Sequence, residues 1–93
     1  MKKSPRTKAV RLAEKLLQIR LQLGLSQTEM LERLGFGDEL FRSNISQYER
    51  GLREPALPVL LSYGKVAGVC VDVLIDDQLD LPARLPNKPK HKL

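Results

Sequence analysis

The chain has 93 residues, 42% of them hydrophobic and 4% aromatic, with 16 Lys and Arg against 11 Asp and Glu for a net charge of +5. That length suits one small domain with a core of Leu, Val and Ile, marginal enough to gain from association. It leaves no room for a disulfide framework, since Cys70 is the one cysteine, or for a membrane span, since no apolar run approaches the roughly 20 residues that a span needs.

The charge is uneven. Lys2, Lys3, Arg6 and Lys8 open the chain and Arg84, Lys88, Lys90 and Lys92 close it, while the body between them holds all eleven acidic residues and is net −3. The basicity therefore lies in the tails and says little about the folded surface. The expected organisation is a basic arm over 1–7, a folded domain over 8–80 and a Pro/Lys-rich tail over 81–93. The basic start runs into Ala9-Val10-Arg11 with no apolar stretch behind it, so no secretory signal is read and a reducing cytoplasm is the expected setting. Cys70 is expected to be a small buried or half-buried residue.

In chain order, Ser4-Pro5 offers a helix start, and helix one runs to Leu23 with Leu12, Leu16, Ile19 and Leu23 on one face. A second stripe, Val10, Ala13, Leu17 and Leu21, lies well round the cylinder, and two stripes need two partners. Leu40 and Phe41, the C-terminal Leu-Pro segment, or a second copy of the chain are the candidates. Gly24 can end the helix in the left-handed conformation. Ser26 and Glu29 then form a capping box, flanked by Leu25 and Met30 at staple spacing, so helix two starts at about Gln27. That start leaves free N–H groups and a positive dipole end beside the Gln27 amide, a geometry suited to phosphate, although most such boxes only cap helices.

If residues 41–50 are helical, Phe41, Ile45 and Tyr48 line one face at about 100° per residue, with Leu52 extending it, and Ser43, Ser46, Gln47 and Arg50 point the other way. Hydroxyls, an amide and a guanidinium are the groups that bond base edges and phosphates. A polar stripe is more often a solvated face. Here it follows a capped short helix and a glycine-containing turn, the layout of a helix-turn-helix that sets its second helix in the major groove of DNA. Helix four begins near Leu57, tolerates Pro58 in its first turn and runs to about Ala67, with Gly64 allowing close helix contact. A short fifth helix covers Val71 to Ile75, and prolines at 82, 86 and 89 leave the rest extended or disordered. The acidic excess at Asp72, Asp76, Asp77 and Asp80 should face away from nucleic acid.

Leu25-Ser26-Gln27, Leu34-Gly35, Ile45-Ser46-Gln47-Tyr48-Glu49-Arg50-Gly51, Arg53-Glu54-Pro55, Leu60-Leu61 and Gly68-Val69 together resemble the xenobiotic-response-element family, the Cro and lambda-repressor type of helix-turn-helix, over about residues 12–77. The resemblance implies an all-α, five-helix lambda-repressor-like DNA-binding domain with flexible basic termini. It further implies a homodimer on double-stranded DNA acting as a sequence-specific transcriptional regulator, expected to be a repressor. Carried over residue by residue, Gln47 with Arg42, Ser43 and Asn44 would read bases. Ser26, Gln27, Ser46, Arg50 and Arg53 would hold phosphates, with Lys2, Lys3 and Arg6 reaching along the duplex. It also implies an ion pair between Arg20 and Glu49, which the helical wheel supports by placing them beside Ile19 and Ile45. The dimer face would be the second stripe of helix one or, favoured by the resemblance, Val71, Val73, Leu74 and Leu79. One departure stands out: the passage from Gly35 to Ile45 is longer than usual, so that either Asp38 caps a longer recognition helix or Ser43 a shorter one.

An enzyme is not expected. The one histidine, His91, sits in the tail, no Cys/His cluster suggests a metal, no cofactor motif is present, and no Ser or Cys has a base in view. The alternative function is an antitoxin-like regulator that also binds a partner protein. An adaptor that has lost DNA binding fits less well, because it would not need Gln27, Gln47 and Arg50 together.

Overall fold

The computed structural model describes residues 9–86 as five α-helices, α1 Leu12–Leu23, α2 Gln27–Leu34, α3 Arg42–Glu49, α4 Leu57–Ala67 and α5 Val71–Ile75, with no strand among them. The helix start at Ser4-Pro5, the basic arm with Lys2, Lys3 and Arg6, and the tail's Lys88, Lys90, His91 and Lys92 lie outside the described residues.

Local signals set most of the boundaries. Gly24 adopts φ 72° and its N–H donates to Leu21 O while Leu25 N–H donates to Arg20 O, both at 3.1 Å, a closing motif that an L side chain would strain. The Ser26–Glu29 box is complete, with Glu29 N–H on Ser26 Oγ at 3.1 Å and Ser26 N–H on Glu29 Oε1 at 2.8 Å. Gly64 permits a close approach: a Cβ there would stand 2.9 Å from Val69 O, in the turn that swings α5 back onto α4.

The core joins Leu12, Leu16, Ile19 and Leu23 of α1 to Met30, Leu31 and Leu34 of α2, Ile45 and Tyr48 of α3, Val59, Leu60, Tyr63 and Ala67 of α4, and Leu74 of α5. Each such side chain removed from water contributes about 1.5–3 kcal/mol before conformational entropy is subtracted. The C-terminal segment joins in. Residues 81–86 have no helix, as their prolines require, yet Leu85 is buried in the core and Leu81 rests against it.

Four expectations need correction. Helix α1 starts at Leu12 and leaves Val10 outside and exposed, because the N–H groups of Val10 and Arg11 donate to the two carboxylate oxygens of Asp77, each at 3.0 Å. Phe41 does not join Ile45 and Tyr48; it precedes α3 in extended conformation and is 74% exposed. Phe36 and Leu40 pack on the core in its place, held by a closed turn in which Glu39 and Leu40 both donate to Phe36 O, at 3.0 and 2.9 Å. Leu74 is fully buried and so unavailable to a dimer face. Cys70 is exposed at the start of α5.

Lys15 went unnoticed in the sequence. It lies on the same face of α1 as Leu12, Leu16 and Ile19, is 1% exposed, and its Nζ donates to the carbonyls of Val73, Asp76 and Leu79 at 2.8, 3.0 and 2.7 Å. An ammonium has three donors, and these three acceptors at the C-terminal end of α5 and the turn beyond it use all of them.

Candidate nucleic-acid interface

Helix α3 is the centre of the site. Ile45 and Tyr48 fasten it to the core, and its other face carries exposed Arg42 and Ser43 and half-buried Ser46 and Gln47, with exposed Arg50 and Arg53 following. Neither Asp38 nor Ser43 caps its start. Asn44 closes it from inside: its Oδ1 accepts the Phe41 N–H at 2.8 Å, while Phe41 offers no side-chain acceptor in return. Asn44 Nδ2 reaches on to Gln47 Oε1 at 3.4 Å. Asn44 is therefore committed to local structure, and Gln47 retains its amide N–H groups for an outside acceptor.

Helix α3 holds one acidic residue, Glu49, and the fold withdraws it. Its side chain is 4% exposed, with Oε2 accepting Arg20 Nε at 2.6 Å and Oε1 accepting Arg20 Nη2 at 3.0 Å and Gln27 Nε2 at 3.2 Å. The bidentate fork raises the Arg20 pKa, chiefly through the hydrogen bonds to Glu49, and Arg20 Nη1 also reaches Leu25 O at 3.1 Å. One carboxylate thus ties α1, α3 and the first residue of α2 together and is kept off the polar face. Tyr63 lies behind this network with its hydroxyl buried and unpaired, and burial raises its pKa.

The other expected residues fall into two groups. Ser26 Oγ accepts the Glu29 N–H, which leaves its hydroxyl proton available, and the N–H groups of Gln27 and Thr28, at the positive end of α2, have no hydrogen bond among the described residues. Arg50 Nε donates to Ser46 Oγ at 3.1 Å, so these two form a unit, whereas Arg42, Ser43 and Arg53 make no hydrogen bonds within the described fold. The outcome is that α3 carries amide, hydroxyl and guanidinium groups outward and turns its one carboxylate inward. Such a surface suits a polyanion that also presents hydrogen-bonding edges.

The acidic cluster lies at the α5 end. Asp77 is held by the Val10 and Arg11 backbone, which lowers its pKa, and Asp80 Oδ1 accepts from Arg11 Nη2 at 2.6 Å. Among the described residues no group of His, Cys, Asp and Glu could hold a metal ion, and no helix is long and apolar enough to cross a membrane.

Residues 16–70 match the family model described as helix-turn-helix. No curated protein matches the chain. Among solved structures, a chain of the SinR–SinI protein complex is 28% identical over 72% of this chain and 62% of its own, with a TM-score of 0.62. The P22 c2 repressor protein in complex with a synthetic operator is 26% identical, covering 71% of this chain and 94% of that one, with a TM-score of 0.62. SinR, the master regulator for biofilm formation, in complex with DNA is 29% identical over 70% and 98%, with a TM-score of 0.60. The chain spans under two thirds of the first of these and nearly all of the other two.

Proposed function

Since the chain belongs to the helix-turn-helix family of the Cro and lambda-repressor type, we propose that it is a sequence-specific DNA-binding transcriptional regulator, acting as a repressor, that lays α3 in the major groove of double-stranded DNA. The observation that carries this reading is the disposition of α3: its apolar side and its one carboxylate are consumed by α1, α2 and the core, and only amide, hydroxyl and guanidinium groups are left outward. Two of the matched structures, the P22 c2 repressor and SinR, are complexes with DNA. The antitoxin-like alternative finds no support in these comparisons.

In this reading Gln47 is the principal base reader, flanked by Arg42 and Ser43. Asn44 acts by holding Phe41 and Gln47 in register. Ser26, Gln27, Ser46, Arg50 and Arg53 hold phosphates on either side. Selection of bound sites from random DNA tests the whole reading. Gln47→Ala then loses about 1–3 kcal/mol of discrimination at one or two base pairs, and Arg53→Ala weakens all sequences alike and flattens the salt dependence by about one unit of slope. Unchanged preference in the first variant would remove Gln47 from the reading.

A single domain reads a short half-site, so we place a second copy on the apolar groove between α4 and α5, lined by Leu57, Pro58, Leu60, Leu61, Val71 and Ile75. Leu57, Leu61 and Ile75 are exposed large apolar side chains there. The exposed Val10, just before α1, and the exposed Leu21 on α1 are separated by half-buried Ala13 and Leu17 and offer a less continuous face. Sedimentation that returns a strict monomer, free and on DNA, would refute the dimer.

A further inference from the structure

Phe41 is the most exposed aromatic side chain of the described fold, and nothing in the interface above uses it. Its exposure is not laxity. Leu40 before it is anchored on the core, its own N–H is held by Asn44 Oδ1 at 2.8 Å, and its carbonyl accepts the Asn44 N–H at 2.8 Å. Asn44 continues to Gln47, so positions 41, 44 and 47 are hydrogen-bonded in series, and the phenylalanine backbone is fixed relative to the proposed base reader. The ring thus stands at the N-terminal end of α3, directly before Arg42 and Ser43. That is the end of a recognition helix that approaches base edges.

We propose that Phe41 is a specificity-determining residue whose ring contacts the C5-methyl group of a thymine in the major groove; this rests on the DNA-binding reading above. The chemistry is limited to that target. A phenyl ring has no donor or acceptor for a base edge, and the thymine methyl is the one apolar group that the four bases present in the major groove. A phosphate offers the ring nothing.

The test uses the full chain and the site it selects from random DNA. Deoxyuridine is substituted for thymidine at each position in turn, which removes the methyl and leaves every hydrogen bond in place, and affinities are measured for the native protein and for Phe41→Ala. We expect one thymine per half-site whose conversion weakens the native protein about fourfold, as burial of one methyl-sized group implies. Phe41→Ala should be indifferent to that conversion, and Phe41→Leu should keep part of the response. Thermal melting of Phe41→Ala should match the native protein, because the capping groups at this position are backbone. The inference is overturned if no thymine-to-uridine conversion affects the native protein, or if Phe41→Ala responds to every conversion as the native protein does. Failure to select any sequence would instead overturn the DNA-binding reading and this inference with it, so the two failures are told apart.

Discussion

Helix α1 is secured near both ends by a charged side chain, and the two ends work differently. Toward its C-terminus Arg20 meets a carboxylate, in a planar fork that Gln27 completes. Toward its N-terminus Lys15 hydrogen-bonds to no carboxylate: its ammonium donates to three carbonyls from α5 and the turn after it. The first arrangement joins two side chains that evolution can exchange together. The second satisfies backbone groups that no substitution removes, and it places a full charge where an apolar side chain would leave acceptors unpaired. The Arg20 end therefore sets where α3 sits, while the Lys15 end sets whether the C-terminal part of the chain closes on α1.

The sharpest way to break this contrast is at Arg20. Arg20→Ala leaves the Glu49 carboxylate buried with one amide for company and should cost about 3–5 kcal/mol in denaturant unfolding, whereas Arg20→Met combined with Glu49→Leu should recover most of the loss. Equal costs for the single and double variants would mean that the pair is not the exchangeable unit described above. Lys15→Met keeps the aliphatic stem and removes only the ammonium. It should cost about 2–3 kcal/mol by unfolding, with amide exchange quickening first over α5 and the turn after it. A cost near zero would show that water replaces the ammonium freely and that the two ends do not differ.

How much of this was readable beforehand follows from the same distinction. The end of α1, the start of α2 and both ends of α4 depend on neighbours in sequence, glycines at 24 and 68, a capping box and Pro58 early in a helix, and those signals were legible. The Arg20–Glu49 pair was legible through resemblance and the wheel. The start of α1 was not, because a carboxylate 66 residues away supplies its cap. Phe41 misled the wheel because a residue in extended conformation at a helix start does not obey helical phase. For Lys15 a signal existed, a lysine inside an apolar stripe, but its partners are carbonyls and leave no mark in side-chain identity. Of the interface, residue types and face were legible; that Asn44 serves the cap and that Glu49 holds Gln27 required coordinates.

A smaller change sharpens the α5 end alone. A five-residue helix cannot hold itself, so α5 depends on Lys15 and on the close turn at Gly64. Gly64→Ala must push Val69 O away from 2.9 Å and should cost about 1–3 kcal/mol by thermal or denaturant unfolding, although alanine favours helix at that position. If Lys15→Met and Gly64→Ala act on one closure, their combined cost will fall short of the sum. Full additivity would mean that α5 is held in two independent ways.

The gentlest probe of that end is pH, and it acts through Asp77. Its two oxygens each accept a backbone N–H, from Val10 and Arg11, which lowers its pKa below the ordinary 3.8; the nearby charges of Lys15 and Arg11 act in the same direction. A carboxyl whose pKa is lowered by folding stabilises the fold above its unfolded value and loses that contribution as pH falls through its folded value. The native protein and Asp77→Asn should therefore differ by a constant amount from neutrality down to about pH 5, and their stabilities should converge below about pH 4. The comparison cancels every other carboxylate, since both proteins carry the rest. The side chain is solvent-accessible and screened, so the difference should be the smallest of those predicted here. A gap that persists unchanged into acid would show that Asp77 caps α1 through shape and neutral hydrogen bonding alone, and the N-terminal end of α1 would then owe its closure to Lys15 and Arg11 without this carboxylate's charge.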